Sequence, residues 1–163
     1  MTTVRTSFLI STALAAAFAL SGCATVLAPT TIADTAGRTP QLSTLSRLIN
    51  EAGLADTLRG AGPYTVFAPT DEAFKALPAN TMAELASNKE LLKSVLTYHV
   101  VASKVTSAEA KNGNLQTLQG ANVAIAKAGA FLTVEDAVVT QADVPATNGA
   151  VHIIDKVLMP PRR

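Results

Sequence analysis

Apolar residues recur at helical spacing through the first half of the chain and at strand spacing through the second. Thr39-Pro40 supplies a cap and a first-turn proline. Leu42, Leu45, Leu48, Ile49 and Ala52 follow at helical intervals, and Gly53 provides a stop, which together predict a helix. A shorter helix is expected over Leu54 to Leu58, ended by Arg59-Gly60-Ala61-Gly62-Pro63. Tyr64 to Ala68 has strand composition and Pro69 closes it. Thr70 can cap the next helix, with Asp71 and Glu72 in the first turn where the dipole favours acids, and Pro78 ends it. Another helix begins around Thr81. Ser87-Asn88-Lys89-Glu90 is a capping-box pattern ahead of Leu91, Leu92, Val95 and Leu96.

After Val101 the period changes. Gly and Asn clusters separate short runs rich in Val, Ile and Thr at Leu115 to Gln119, Asn122 to Lys127, Phe131 to Val134, Val138 to Gln141 and Ala150 to Ile154. Two-residue links at Gly120-Ala121 and Ala128-Gly129 predict tight hairpins. Helices followed by strands define an α+β domain rather than alternating βαβ units.

The N-terminus is set aside from the fold. Met1 to Ser7 carries one positive charge, Arg5, and leads into Phe8 to Leu20, an uncharged run of 13 residues. That is short for a bilayer span and right for the core of an export signal. Leu20-Ser21-Gly22-Cys23 follows directly and resembles the lipobox of bacterial lipoproteins. Small residues let the backbone enter a protease cleft, and the Cys23 thiol accepts the diacylglycerol. Residues 1–22 are therefore expected to be a signal peptide and Cys23 the lipidated first residue of the mature chain. Several acyl chains give stable anchoring where one gives only marginal binding. In the lipoproteins this resembles, an Asp after the Cys favours inner-membrane retention, so Ala24 points to the outer membrane or surface if the cell is Gram-negative. Ala24 to Thr39 is rich in Ala, Thr and Pro without periodicity and reads as a tether, so that 23–39 precede a folded domain over 40–160 and a tail at 161–163.

Composition narrows the chemistry. Of 163 residues, 48% are hydrophobic and 15% charged, which excludes intrinsic disorder. Thirteen basic against twelve acidic side chains make no polyanion-binding footprint, and removal of Arg5 with the signal leaves the mature chain neutral. With no Trp, five Phe and two Tyr there is little from which to build a base-stacking platform, so no nucleic-acid partner is expected. A single Cys excludes an internal disulfide, and one Cys with two His cannot close a Cys/His zinc site. The two histidines stand 53 positions apart, and no Ser motif resembles a nucleophile elbow. No glycine-rich phosphate cradle precedes a helix. No catalytic residue, metal or cofactor is assigned.

Three segments together resemble the fasciclin domain family. Tyr64-Thr65-Val66-Phe67-Ala68-Pro69-Thr70-Asp71-Glu72-Ala73-Phe74 is similar to its first signature block, Tyr98-His99-Val100 to its central Tyr-His motif, and Asn148 through Pro160 to its second block. They fall in family order at family spacing. The resemblance implies a β-wedge or sandwich with helices packed around it, in secreted and surface proteins that serve adhesion, matrix assembly or colonisation. It also implies an alternative, carriage of an apolar ligand such as a carotenoid, because some relatives carry one. A macromolecular surface or matrix partner is the leading expectation, with membrane attachment through the N-terminal lipid.

Most motif residues read as folding devices. Val66 and its neighbours Thr65 and Phe67 point to opposite faces of a strand, Pro69-Thr70-Asp71 turns it into a helix, and Asn148-Gly149 is expected to be a turn of positive φ. Tyr98, His99 and Asp71 are the family-motif candidates for recognition, and a His99 to Asp71 hydrogen bond is expected from their adjacent motifs. The Asp-Ile integrin motif of some animal relatives has only a loose echo in Asp143-Val144. Binding is expected in the exposed segments Ala102 to Asn114 and Gln141 to Thr147.

Overall fold

The computed structural model describes residues 30–161. The expected signal peptide, Cys23 and the first part of the expected tether, residues 24–29, lie outside the described residues, as do residues 162 and 163. Helix α1 (Ile32–Arg38) opens the fold, followed by a 3₁₀ turn (Pro40–Leu42), α2 (Ser43–Glu51), α3 (Ala55–Arg59) and β1 (Tyr64–Pro69). Next come α4 (Asp71–Lys75), α5 (Ala79–Ser87), α6 (Lys89–Tyr98) and the two-residue β2 (Val100–Val101). The rest is strand: β3 (Gly113–Gln116), β4 (Asn122–Ala128), β5 (Phe131–Val134), β6 (Ala137–Ala146) and β7 (Gly149–Ile154).

The seven strands form one sheet in the order β2-β1-β7-β6-β5-β4-β3. All neighbours are antiparallel except β1 and β7, which run parallel from Tyr64 beside Gly149 to Pro69 beside Ile154. An antiparallel bridge from Val101 to Thr117 brings the two edges together, so the sheet nearly closes on itself. Closure removes the open edge that would otherwise template aggregation. This is the expected α+β wedge with helices packed around it.

Alternation along β1 and β7 divides the interior in two. Val66, Ala68, Val151 and Ile153 face the helices and pack with Leu45, Ile49, Phe74, Leu92 and Val95. Phe67 and Ile154 face the inside of the wedge with Tyr98, Val123, Ile125, Leu132 and Val134. Both strands are buried on both faces, which explains their near-continuous apolar sequences.

The helix caps follow the sequence. Thr70 accepts from the N–H of Ala73, and Asn88 accepts from that of Leu91. Gly120 and Gly129, in the two expected hairpin links, take φ of +98° and +63°.

Three expectations need correction. The stretch assigned to the tether contains α1, whose Ile32 and Ala36 are buried in the core. Two apolar contacts on one short helix leave no periodic signal, and α1 is held from a distance: the Asn148 carboxamide oxygen accepts from the N–H of Ile32. Gly149 is a strand residue without positive φ, required because a Cβ there would collide with the Tyr64 carbonyl. The Gln141 to Thr147 segment is mostly the second half of β6, whose pairing with β7 continues to Ala146 through register shifts around Gln141 and Val144.

Candidate functional site

Tyr98 ends α6, and His99 is its C-cap. Neither offers a surface to a partner, being 3% and 1% exposed. The Tyr98 hydroxyl lies 3.2 Å from the Asn122 carbonyl and 3.4 Å from Glu135 Oε1. Burial, and then the Glu135 carboxylate, push the phenol above its ordinary range. Both nitrogens of His99 are occupied. Nε2 accepts from the N–H of Leu158 at 2.9 Å, which leaves Nδ1 to donate to the Val95 carbonyl at 2.8 Å. Burial pushes this imidazole down to about 4, against a smaller opposing effect of the Val95 bond.

The expected His99 to Asp71 hydrogen bond is absent. Asp71 instead accepts from the Ser43 hydroxyl and from the Thr44 N–H, both at 2.7 Å. It serves as a cap brought from α4 to the start of α2, where free helical N–H groups and the dipole attract a carboxylate. Partial burial works against its charge, but the hydrogen bonds from Ser43 and Thr44 outweigh it and hold its carboxyl below the ordinary value. The three motif residues therefore brace the fold at two separate places.

The two exposed segments expected to bind do come together. Residues 102–112 form a strap from β2 to β3 that crosses beside β6. Inside it, the Thr65 hydroxyl donates to the Ser103 carbonyl at 2.6 Å and accepts from the Val105 N–H at 2.8 Å. His152 Nδ1 accepts from the Asp143 N–H at 3.2 Å, which leaves Nε2 to donate to the Val105 carbonyl at 2.8 Å. Its ring stacks on Phe67 with centroids 5.7 Å apart. Above it, the Asp143 carboxylate accepts from both the N–H and the hydroxyl of Ser107. Lys127 Nζ donates to the Ser107 carbonyl at 2.6 Å, and its N–H to Asn112 Oδ1 at 2.7 Å.

Asp143 adopts φ of +55°, a conformation that Asp tolerates better than most residues, at the shift in the β6–β7 register. Its partial burial is outweighed by the two Ser107 hydrogen bonds, with help from His152 and Lys127, so its carboxyl also titrates below the ordinary value. Residue identity alone gave no signal for Thr65, Asp143 and Lys127 as a unit. They lie far apart in sequence and meet only through strand register.

Two clefts lie in the helical layer. One of about 250 Å³ is lined by Asp34, Arg38, Ser46, Asn50 and Arg59 among others. Another of about 320 Å³ is lined by Phe74, Leu77 and Met82 together with Arg47 and Lys75. Among the described residues, no three or more His, Cys, Asp or Glu side chains gather as metal ligands.

Buried polar groups thus brace the loops of a helix-backed wedge. The chain belongs to the fasciclin domain family, whose model matches residues 40–160. It is 45% identical over 135 residues to the immunogenic protein MPB70 of Mycobacterium bovis, covering 80% of this chain and 69% of that protein. The cell surface glycolipoprotein MPB83 of the same species is 42% identical over 135 residues, covering 80% of this chain and 60% of that protein. The fold matches a FAS1 domain pair from the insect cell adhesion molecule fasciclin I with a TM-score of 0.60 at 24% identity. That match covers 72% of this chain and spans 45% of the pair.

Proposed function

We propose that the chain is an extracytoplasmic interaction module, held to the cell envelope by a lipid on Cys23 and serving adhesion or envelope association. One pairing of observations carries this reading. Leu20-Ser21-Gly22-Cys23 stands directly behind an apolar run of export length, and a relative of 42% identity is named a cell surface glycolipoprotein. Ala24 after the Cys favours display at the outer membrane or surface in a Gram-negative cell. The strap and the adjoining end of β6 form its interaction surface, because the motif residues are committed to packing.

The interior of the wedge supports interaction over carriage of an apolar ligand such as a carotenoid. Phe67, Val123, Ile125, Leu132, Val134 and Ile154 fill it with their own side chains, each no more than 4% exposed. A strain lacking the protein should lose surface attachment or envelope cohesion, and the wild-type gene should restore it, while the purified protein should be colourless. Unchanged attachment and envelope cohesion would reject the interaction reading. A stoichiometric pigment would put the carrier in its place.

A further inference from the structure

The outer face of the sheet carries no charged side chain across three adjoining strands. Along β4, Val123 and Ile125 point into the wedge, while Ala124, Ala126 and Ala128 point out and are exposed. On one flank β3 presents Asn114, beside Ala124, and Gln116, beside Asn122. On the other β5 presents Thr133, beside Ala126, and Phe131, beside Ala128. Lys127 alternates with the alanines and turns to the opposite side of the sheet, where its Nζ donates to the Ser107 carbonyl of the strap. The adjoining carboxylate, Glu135, is already engaged: its Oε1 accepts from the Ala124 N–H at 2.9 Å and lies 3.4 Å from the Tyr98 hydroxyl.

Side-chain length gives this face its shape. The alanine methyls make a low track along β4, between the amides of β3 on one flank and the Phe131 ring on the other. Phe131 is 72% exposed, whereas Leu118, Val138 and Met159, the other exposed large apolar side chains among the described residues, reach only 38–42%. Toward the far end of the track Asn114, Gln116 and Asn122 are all exposed and offer amide donors and acceptors.

Dimensions and charge decide what fits. The seven residues of β4 and the spacing of three strands define a strip of about 20 Å by about 10 Å, on the order of 200 Å². Each partner in a stable protein–protein interface gives roughly 800 Å², so the strip suits a slender chain rather than a second folded surface. An extended peptide would need unpaired backbone groups, and β4 is already paired on both edges, to β3 and β5. A charged polymer or lipid headgroup would find no counter-charge. A neutral sugar chain matches on every count: its ring C–H groups lie on the alanine methyls and against the electron-rich face of Phe131, and its hydroxyls meet the amides.

We infer that the outer face of β3, β4 and β5 holds a strand of neutral polysaccharide, with Phe131 stacked on one sugar and Asn114, Gln116 and Asn122 hydrogen-bonded to others further along. The inference rests on the reading of the chain as an envelope-associated module. It gives that module a second surface, on the other side of the sheet from the strap, and names a neutral glycan as its partner.

The full-length chain, purified from the cells that make it, is run in native gels cast with dextran, hydroxyethylcellulose or glycol chitin, and with acidic alginate for comparison. At least one neutral polymer should retard the wild type while alginate does not. Phe131→Ala should weaken that binding roughly tenfold or more, as loss of a central aromatic anchor does. Phe131→Trp should keep it, and because the chain has no tryptophan of its own, the emission of this single indole should move to the blue when the polymer is added. Ala126→Glu, which sets a charge on the track, should abolish binding, and Met159→Ala, outside these strands, should leave it unchanged. Circular dichroism confirms that each variant is folded. Retardation by no neutral polymer, equal retardation of wild type and Phe131→Ala, or equal retardation by alginate overturns the inference. A dimer that Phe131→Ala dissolves assigns the face to a second copy and overturns it as well. If a deletion strain loses envelope cohesion while the purified chain binds no neutral polymer, this face falls and the interaction reading stands. If attachment and cohesion are unchanged in that strain, the interaction reading falls and takes the inference with it.

Discussion

The backbone N–H of Leu158 donates to Nε2 of His99, 59 positions earlier, and this bond fixes the segment after β7 against the end of α6. Because the other ring nitrogen donates to Val95, the arrangement requires a neutral imidazole. Protonation would set two N–H groups against one another inside the core.

Acid should therefore weaken the fold before the carboxylates titrate. The His99 pKa lies at about 4 in the folded chain, below the ordinary 6.5. Between these values the unfolded chain binds the extra proton, so stability rises with pH across that window and is lost as pH falls through it, by roughly 3 kcal/mol in all. Urea unfolding from pH 7 to pH 4 should show this slope. His99→Gln should be less stable at pH 7 and should lose most of the slope; an undiminished slope in the variant would assign it to another group.

Asp71 and His99 brace different parts of the molecule and share no partner. Asp71→Ala should cost about 1 kcal/mol through loss of a helix cap. Combined with His99→Ala, the losses should add to within about 0.5 kcal/mol, as for sites with no common contact. A larger coupling energy in the double-mutant cycle would restore the pairing that the motif order alone implies.

Gly149→Ala should cost about 3 kcal/mol, the upper range for overpacking. The added methyl would meet the Tyr64 carbonyl carbon as well as its oxygen, backbone atoms of the parallel β1–β7 pair that cannot swing aside. Thermal unfolding reads the loss, and a variant as stable as wild type would show that this contact can open freely.

Asp143→Ala should loosen the strap with little effect on the rest. It removes both acceptors of Ser107 but leaves Thr65 and His152 holding Ser103 and Val105. Hydrogen exchange should speed up at Ser107 and its neighbours, while β1 and β7 keep their protection. Equal loss of protection in the sheet would mean that the strap is part of the cooperative core.

How far the sequence could be read followed the distance over which each element is decided. Asn88 and Thr70 cap helices three residues away, and Gly120 and Gly129 sit in their own turns, so those elements were legible. Helix α1 was not, because its anchor is Asn148, whose carboxamide also donates to the Leu58 and Gly60 carbonyls across the fold. The candidate surface was legible only as two separate segments. What joins them is the positive φ of Asp143 within a shifted register, and no local pattern announces it.

Attachment through Cys23 is tested most directly by the intact mass of the chain extracted from envelope membranes, compared with Cys23→Ser. The mature wild-type chain should begin at Cys23 and carry acyl mass, and the substituted chain should carry none. A wild-type chain beginning elsewhere, or beginning at an unmodified Cys23, would contradict the proposed anchor.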